Sequence, residues 1–250
     1  MSVIKLLYGL VFMLLLLNHA FASEINEGFH FSPERLVYLE SNPKGISTGL
    51  QNGTSKAALI QAQIISTDSQ SGLPVVEHLG KSHDAFLITP PLHKLGINER
   101  FNWRIQRVNE GKLATDRETV FYVALKVIPE SESNHQAPSQ FILAPTIYLK
   151  MLYRPRQIDA LRLDSQTEKL DVVVQGNKVI INNPTPLSMT LATLSVGDYD
   201  VPVEKFTHGI APFGKQVIDL DKPVSGTITW RILNEYSIPT KLEVRGANES

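Results

Sequence analysis

Cysteine is absent from the 250-residue sequence. The absence excludes disulfides, zinc–thiolate sites and thiol chemistry, so packing and hydrogen bonds alone must stabilise the fold. An excess of one charge is also missing, because 24 basic residues stand against 25 acidic ones. The sequence therefore carries no basic footprint for nucleic acid.

Long apolar runs are missing too, apart from one at the N-terminus. Lys5 precedes the twelve apolar residues 6–17, and Ala20-Phe21-Ala22 places small residues where a signal peptidase reads. We predict that residues 1–22 are a secretory signal peptide, cleaved after Ala22. An uncleaved membrane anchor is the alternative, although crossing a bilayer takes roughly 20 apolar residues. The remaining 228 residues lose one lysine and carry a net charge of −2.

Catalytic constellations are likewise missing. Ser82-His83-Asp84 is contiguous, whereas a catalytic triad is assembled from separate parts of a chain. His78, His83 and His93 lack the carboxylate spacing of a metal site. The sequence predicts no catalytic residue, no metal site and no cofactor, and an enzyme is the weaker hypothesis.

Short runs of Val, Ile, Tyr, Phe and Thr separated by turn residues make up most of the chain, which is typical of β-strands. No stretch after residue 22 holds an apolar face at helical spacing. The first half contains seven such runs, the count expected of an immunoglobulin-like sandwich. They cover 34–40, 45–52, 57–66, 84–90, 100–108, 119–128 and 140–153.

The pattern starts again after Arg154-Pro155, since proline cannot continue a ladder. Residues 169–183 form two runs around Gly176-Asn177, which suits a tight hairpin. The further runs are 189–196, 198–204, 216–220, 226–233 and 240–245. We predict an all-β protein of two immunoglobulin-like β-sandwich domains joined at an angle, with a first domain at 23–154 and a smaller second domain at 155–250.

Two polar segments are predicted to lie between strands. Glu130–Ser139 is rich in turn-forming residues and joins the sixth and seventh runs. Asn52-Gly53-Thr54 matches a glycosylation acceptor but is better interpreted as a turn.

Lys150 raises a question because it interrupts the apolar run 146–153. A lysine rarely enters a half-buried surface without a partner. The side chain either snorkels from a sheet edge or meets an anion that the sequence does not identify.

An ordered set of motifs resembles the periplasmic chaperones of the chaperone/usher pathway, the PapD-like family that assembles bacterial pili and fimbriae. The set covers nearly the whole chain after residue 22. Its members are Phe86–Pro91 with Arg104-Ile105, Asp116-Arg117-Glu118 with Phe121 and Ile128-Pro129, Lys150–Pro155, Asn183–Pro186, Ala211-Pro212-Phe213 and Asn234-Glu235-Tyr236.

The resemblance implies a non-enzymatic chaperone in the periplasm. Such a protein binds pilus or fimbrial subunits and delivers them to an outer-membrane usher, without nucleic acid and without stable membrane insertion. Arg35 and Lys150 match the family's basic pair, which holds the C-terminal carboxylate of the subunit. That carboxylate is the anion which Lys150 lacks.

The resemblance also implies donor-strand complementation, in which the chaperone lends a strand to an incomplete subunit. Counting back from Lys150 in odd steps gives Ile147, Pro145, Leu143 and Phe141 as the residues that fill the subunit groove. Packing inside the protein's own core is the alternative for Phe141 and Leu143. Pro145 departs from the pattern because it cannot donate to a ladder, so either the groove tolerates it or the register differs.

By resemblance, Arg154 joins Glu118 and Glu235 in an ion network between the domains, where the family usually has aspartate in place of Glu235. The length of the 130–139 loop resembles the family's short-loop branch, which serves rod-like pili. The alternative function is a secreted two-domain adhesin or a structural pilus component. A pilus subunit, however, is expected to be one incomplete domain.

Overall fold

The computed structural model describes residues 28–68, 72–79, 83–108, 113–130, 143–207 and 209–246. The predicted signal peptide, Phe141 and nearly all of the 130–139 loop lie outside these ranges. The described residues form two β-sandwiches, with single 3₁₀ turns as the only helical elements. The turns are Val76–His78, Arg156–Ile158, Leu163–Ser165, Thr167–Lys169 and Val203–Lys205.

The first sandwich has two facing sheets, of order β1-β3-β7-β5 and β2-β9-β8-β4-β6. Its core lies between them and includes Leu50, Trp103 and Leu125, which are fully buried. The strands are β1 Phe29–Ser32, β2 Arg35–Leu39, β3 Ile46–Asn52, β4 Ala58–Ser66, β5 Phe86–Thr89, β6 Leu92–Leu95, β7 Arg100–Arg107, β8 Thr119–Pro129 and β9 Thr146–Arg154.

The second sandwich packs the sheet β10-β11-β14 against the sheet β13-β12-β15-β16. Its separate core begins at Ile158 and includes Val172, Ile181 and Ile232. The strands are β10 Asp171–Gln175, β11 Lys178–Asn182, β12 Leu191–Val196, β13 Tyr199–Asp200, β14 Lys215–Asp219, β15 Ile228–Ile232 and β16 Glu243–Arg245. The β10–β11 hairpin turns at Gly176-Asn177 as predicted, and Gly176 has a φ of 62°.

The structure confirms the all-β fold class and corrects several strand assignments. Two strands of the first sandwich, β1 and β6, were not predicted, because each is four residues long with at most one buried side chain and so lacks an apolar alternation. After Pro90-Pro91 the chain leaves the sheet of β5 and enters the other sheet as β6. In the second sandwich, the run 198–204 contains only the two-residue β13, since Pro202 cannot donate to a ladder.

The last strand of the first sandwich is also shorter than predicted. The run 140–153 was expected to be one strand, but β9 begins at Thr146. Residues 143–145 are not in a strand, because Pro145 lacks the N–H that would continue the ladder. The odd-numbered residues of β9 face the core, where Leu149, Met151 and Tyr153 are buried. Lys150 therefore faces outward.

Each sandwich contains a turn that is held by a buried asparagine. Asn52 donates through Nδ2 to the carbonyls of Lys56 and Gly96, and its Oδ1 accepts from the N–H and hydroxyl of Thr54. Asn52 is 0% exposed, so its amide belongs to a turn, as the sequence indicated. Asn183 repeats the pattern in the second sandwich. Each amide thus replaces backbone hydrogen bonds where a strand ends.

We predict that Asn52→Ala and Asn183→Ala each destabilise their own sandwich by about 2–4 kcal/mol, because several buried backbone groups lose their partners. Each sandwich holds one tryptophan, Trp103 or Trp230. Denaturant unfolding followed by fluorescence, in backgrounds carrying Trp103→Phe or Trp230→Phe, assigns the loss to one sandwich. Asn102→Ala, an exposed change on β7, is the matched control. Equal midpoints for the control and both variants would contradict the prediction.

Candidate functional site

The parallel pairing of β2 with β9 places Arg35 directly opposite Lys150. On the other side of β9, Lys150 is opposite Tyr122 of β8. Because residue 150 is even-numbered, its side chain leaves the sheet on the face away from the first core. The structure therefore brings the two predicted cations together on the face that meets the second sandwich.

Arg35 is buried, with 7% of its surface exposed. Its Nη1 donates to the carbonyl oxygen of Leu233 in the second sandwich, at 3.0 Å. Burial lowers the pKa of Arg35, and the charges of Glu118 and Glu235 oppose that shift. The guanidinium is thus desolvated, held by a neutral acceptor and only distantly compensated.

Lys150 reaches into the same cleft. Its Nζ donates to Oγ1 of Thr190 in the second sandwich, at 3.4 Å. Burial, with a smaller contribution from the neighbouring charge of Arg35, lowers the pKa of Lys150 to about 8. Within the described ranges, none of the ion pairs includes Arg35 or Lys150. Two adjacent cations without a carboxylate form a site suited to an anion.

A cleft of about 520 Å³ lies between the sandwiches, and Lys150 is part of its wall. Two further lysines, Lys205 and Lys215, line it from the second sandwich. Lys205 is paired with Asp221 at 2.8 Å. The second sandwich therefore contributes two lysines to the cleft wall, one of them paired with a carboxylate, and Lys150 is the member of the cation pair that reaches the cleft.

Arg154 lies four residues beyond Lys150 on the same face of β9, and it contacts both carboxylates that were expected to accompany it. Its Nε donates to Glu118 at 2.8 Å, and its Nη2 donates to Glu235 at 3.0 Å. Nη1 donates to the carbonyl of Leu161. Arg154 is only 1% exposed, so this network is buried rather than a surface ion pair.

Glu118 joins the network to the second sandwich. One carboxylate oxygen accepts from Arg154, and the other accepts from the backbone N–H of Ser188 at 2.8 Å. Its own backbone N–H donates to the carbonyl of Pro186 at 2.9 Å. Burial raises the pKa of Glu118, while the Arg154 charge and these hydrogen bonds counteract it. The two hydrogen bonds to Pro186 and Ser188 thus fix the two sandwiches against each other, while the bond to Arg154 lies within the first sandwich.

Sequence reasoning missed the groups of the second sandwich that complete the site. Thr190 and the carbonyl of Leu233 have no local signature, since their role depends only on the packing of distant segments. Phe213 was identified only as part of a motif, and the contact between its ring and Arg117 was not expected. The guanidinium of Arg117 lies 4.8 Å from the centre of its ring, which adds a cation–π contact between the sandwiches.

The proposed donor residues differ in their surroundings. Leu143 is 70% exposed, which rules out packing in the protein's own core. Pro145 is also exposed, whereas Ile147 is partly buried against the first core. Phe141 lies outside the described residues. β9 pairs with β8 along Thr146–Leu149, but in the described ranges no strand pairs with its other edge there, because β2 begins only at Arg35.

Two absences hold for the described part of the chain. It contains no helix long and apolar enough to span a bilayer. It also contains no cluster of three or more histidine, aspartate or glutamate side chains placed to hold a metal ion.

The fold and the site define a two-domain immunoglobulin-like protein with a basic pair in its interdomain cleft. Residues 28–159 match the family model described as the N-terminal domain of PapD, a pili and flagellar-assembly chaperone. Residues 165–243 match the C-terminal domain of the pili assembly chaperone PapD. The chain belongs to this PapD family of pilus-assembly chaperones, which serve the chaperone/usher pathway.

Individual relatives agree with the family. The probable fimbrial chaperone ElfD of Escherichia coli K12 is 29% identical over 215 residues, covering 85% of this chain and 84% of the relative. FimC of the same strain is 25% identical over 219 residues, covering 88% and 84%. The E. coli chaperone DraB has a TM-score of 0.71 and 26% identity, covering 88% of this chain and 98% of DraB.

A second solved structure, the Salmonella enterica SafA pilin in complex with the SafB chaperone, has a TM-score of 0.73. The matched chain is 24% identical, with 88% of this chain and 96% of that chain covered. At this identity the match supports the fold alone.

We predict that Glu118→Ala lowers the free energy of unfolding by about 3–5 kcal/mol, because it leaves Arg154 buried with one carboxylate instead of two. Denaturant unfolding is the measurement. Glu77→Ala, which removes an exposed carboxylate of the same sandwich, is the control and should leave the midpoint unchanged. A Glu118→Ala midpoint equal to that of the control would mean that the network does not hold the sandwiches together.

Proposed function

We propose that this chaperone binds pilus subunits by donating the 141–147 segment as a strand and by holding the subunit's C-terminal carboxylate between Arg35 and Lys150. It acts without catalysis, in the periplasm, and passes the subunit to an outer-membrane usher. The division into domains at 23–154 and 155–250, after a signal peptide cleaved at Ala22, is part of the proposal. The separate cores that end at Tyr153 and begin at Ile158 support it.

One observation carries the proposal: the cation pair stands where the open edge of β9 ends and β2 begins. A guest strand added to the edge beside Thr146–Leu149 would be collinear with β2. If it runs parallel to β9, its C-terminal carboxylate ends at Arg35 and Lys150. If it runs antiparallel, its ammonium group meets two cations instead. The charges therefore select the parallel orientation and set the register.

The carboxylate supplies the charge that the cleft lacks. A charge-assisted hydrogen bond to each cation contributes about 1.5–3 kcal/mol to the free energy of binding. The exclusion of water from the cleft strengthens each of these bonds. Because both cations are already desolvated, binding does not require their removal from water. The pair is thus prepared for an anion before the guest arrives.

Pro145 is compatible with strand donation because its missing donor faces the chaperone itself. A residue in an extended strand directs its N–H and C=O to the same side. The carbonyl of Pro145 accepts from the N–H of Val127 on β8, at 2.8 Å. The N–H that proline lacks would point to β8 as well, so the guest edge loses no hydrogen bond at this position.

The donor segment also has apolar groups to offer. Leu143 is largely exposed, and an exposed leucine beside an open strand edge is a liability unless a partner covers it. Ile147 already packs partly on the first core and has less surface left for a guest. We therefore assign the larger share of groove filling to Leu143 among the described donor residues.

The comparisons favour a pilus subunit as the partner. The family models describe chaperones of pilus assembly, and two structures that share this fold are described as complexes of a chaperone with a pilin or a tip subunit, SafA–SafB and CsuC–CsuE. Both chaperone domain models match this chain in order, which favours a chaperone over the adhesin alternative. The usher follows from the pathway to which the family belongs.

The carboxylate site predicts specific losses. Arg35→Ala and Lys150→Ala should each weaken the binding of a candidate subunit by roughly 10- to 100-fold, since each removes one charge-assisted bond. The measurement is the yield of soluble subunit co-purified from periplasmic extracts, together with titration of peptides that copy the subunit's last residues. Amidation of the peptide's C-terminus should weaken binding most in the wild type and less in either variant, and it should have little effect when both cations are replaced.

Lys215→Ala, an exposed cation on the wall of the same cleft, is the matched control and should change affinity by no more than about twofold because of solvent screening. If Arg35→Ala and Lys150→Ala still deliver subunit at the wild-type yield, the carboxylate site is wrong.

Leu143→Glu tests strand donation separately. We expect it to reduce subunit capture at least tenfold, because a charge would enter an apolar groove, while the thermal midpoint stays that of the wild type. Val244→Glu, an equally exposed site on β16, should leave capture unchanged. Normal capture by a folded Leu143→Glu protein would remove Leu143 from the interface.

A further inference from the structure

Two neighbouring segments of the second sandwich, 188–190 and 233–235, each contact the ion network at one residue and the cation pair two residues away. Ser188 donates its N–H to Glu118, and Glu235 accepts from Arg154. Thr190 accepts from Lys150, and Leu233 accepts from Arg35. The network and the cation pair are therefore held by the same pieces of chain.

The two segments are also joined to each other beneath the cations. The N–H of Leu233 donates to the carbonyl of Thr190 at 2.8 Å. A continuous series of hydrogen bonds therefore runs from Lys150 through Thr190 and Leu233 to Arg35. This series fixes the spacing of the two cations, although the cations repel each other.

We propose that Thr190 is a positioning residue that holds the ammonium of Lys150 beside Arg35 and so builds the anion site from the second sandwich. The inference rests on the proposed carboxylate-binding function and extends it. The second sandwich is then a functional part of the site and not only a support for the first.

The space beside Gly209 is consistent with the position that the Lys150–Thr190 hydrogen bond gives to the ammonium. A Cβ built on Gly209 would lie 3.1 Å from Nζ of Lys150 and 3.3 Å from the carbonyl of Met189. The ammonium thus occupies the space that a larger residue 209 would take. Thr190 supplies the acceptor on one side, and Gly209 leaves room on the other. The remaining N–H groups of Lys150 are free to turn toward a guest.

The pH dependence of binding provides a readout that a purely structural role would not change. The charged or titratable groups around the ammonium are Arg35 on β2, Tyr122 on β8, Glu118 before β8, and Asp68, Lys205 and Lys215 on the cleft wall. Lys150 binds a carboxylate as the ammonium, and its pKa in the free protein is about 8. Wild-type affinity should be constant below pH 7 and fall about tenfold per unit above pH 8.

The experiment titrates a fluorescent peptide copying the C-terminus of a candidate subunit, with a free carboxylate, between pH 6 and 9.5. Thr190→Val keeps the shape and removes the acceptor. We expect roughly 3- to 10-fold weaker binding at pH 7, and a decline that begins at lower pH, because the ammonium loses a hydrogen bond. Thr190→Ser should restore both. Thr193→Val, an exposed change on β12 three residues after Thr190, should match the wild type.

A double-mutant cycle separates positioning from stability. In a Lys150→Ala background, Thr190→Val should cause no further loss of affinity, since there is no ammonium left to position. Gly209→Ala offers an independent route, because it displaces the same ammonium, and it should likewise weaken binding only when Lys150 is present.

The outcomes distinguish the two claims. If the wild type discriminates the free carboxylate from its amide but Thr190→Val keeps the wild-type affinity and pH profile, the positioning role is wrong and the carboxylate site stands. Additive losses in the Lys150→Ala background would also overturn it. If the wild type does not discriminate, the proposed function itself fails.

Discussion

The buried Arg154 guanidinium is the constraint on which the rest of the structure depends. A desolvated cation at 1% exposure must be compensated, and its partners Glu118 and Glu235 come from different sandwiches. Both carboxylates can pair with Arg154 only when the two sandwiches adopt one relative placement. In a chain without cysteine, no disulfide can impose that placement. Electrostatics inside the protein performs the task that disulfides perform in many exported proteins.

Arg35 and Lys150, by contrast, are two neighbouring cations whose charges no carboxylate neutralises in the described part of the chain. Arg154 has two carboxylates, whereas Arg35 and Lys150 have only a carbonyl and a hydroxyl. Neutral acceptors satisfy N–H groups but do not cancel charge. Of the three cations on this face of the sheet, one is thus paired with carboxylates, and the other two are those that we propose bind an anion. A buried unpaired charge is costly, and such costs are commonly associated with function.

The sequence predicted what depends on local pattern and missed what depends on distant contacts. Period-two apolar runs located the long strands, and Gly176-Asn177 located a hairpin. The opposition of Arg35 and Lys150 came from family resemblance, since no pattern reveals a parallel pairing between residues 115 positions apart. β1 and β6 are short and mostly exposed, so they have no apolar alternation to detect. Pro145 ended β9 earlier than the apolar composition of residues 140–153 predicted. Thr190 and the Leu233 carbonyl carry no signal at all, because their partners are chosen by the packing of the second sandwich.

The open edge of β9 shows why these constraints belong together. An edge strand pairs with any chain that offers backbone groups, so backbone bonding alone specifies neither direction nor register. Charge at one end of the edge specifies both, but only if the cations stay at a fixed height along the strand. Lys150 is long and flexible, and a snorkelling ammonium could shift by several ångströms. In the proposed complex, restraint of Lys150 by Thr190, which is linked through Ser188 and Glu118 to Arg154, would convert a fixed domain placement into a fixed register for the guest strand.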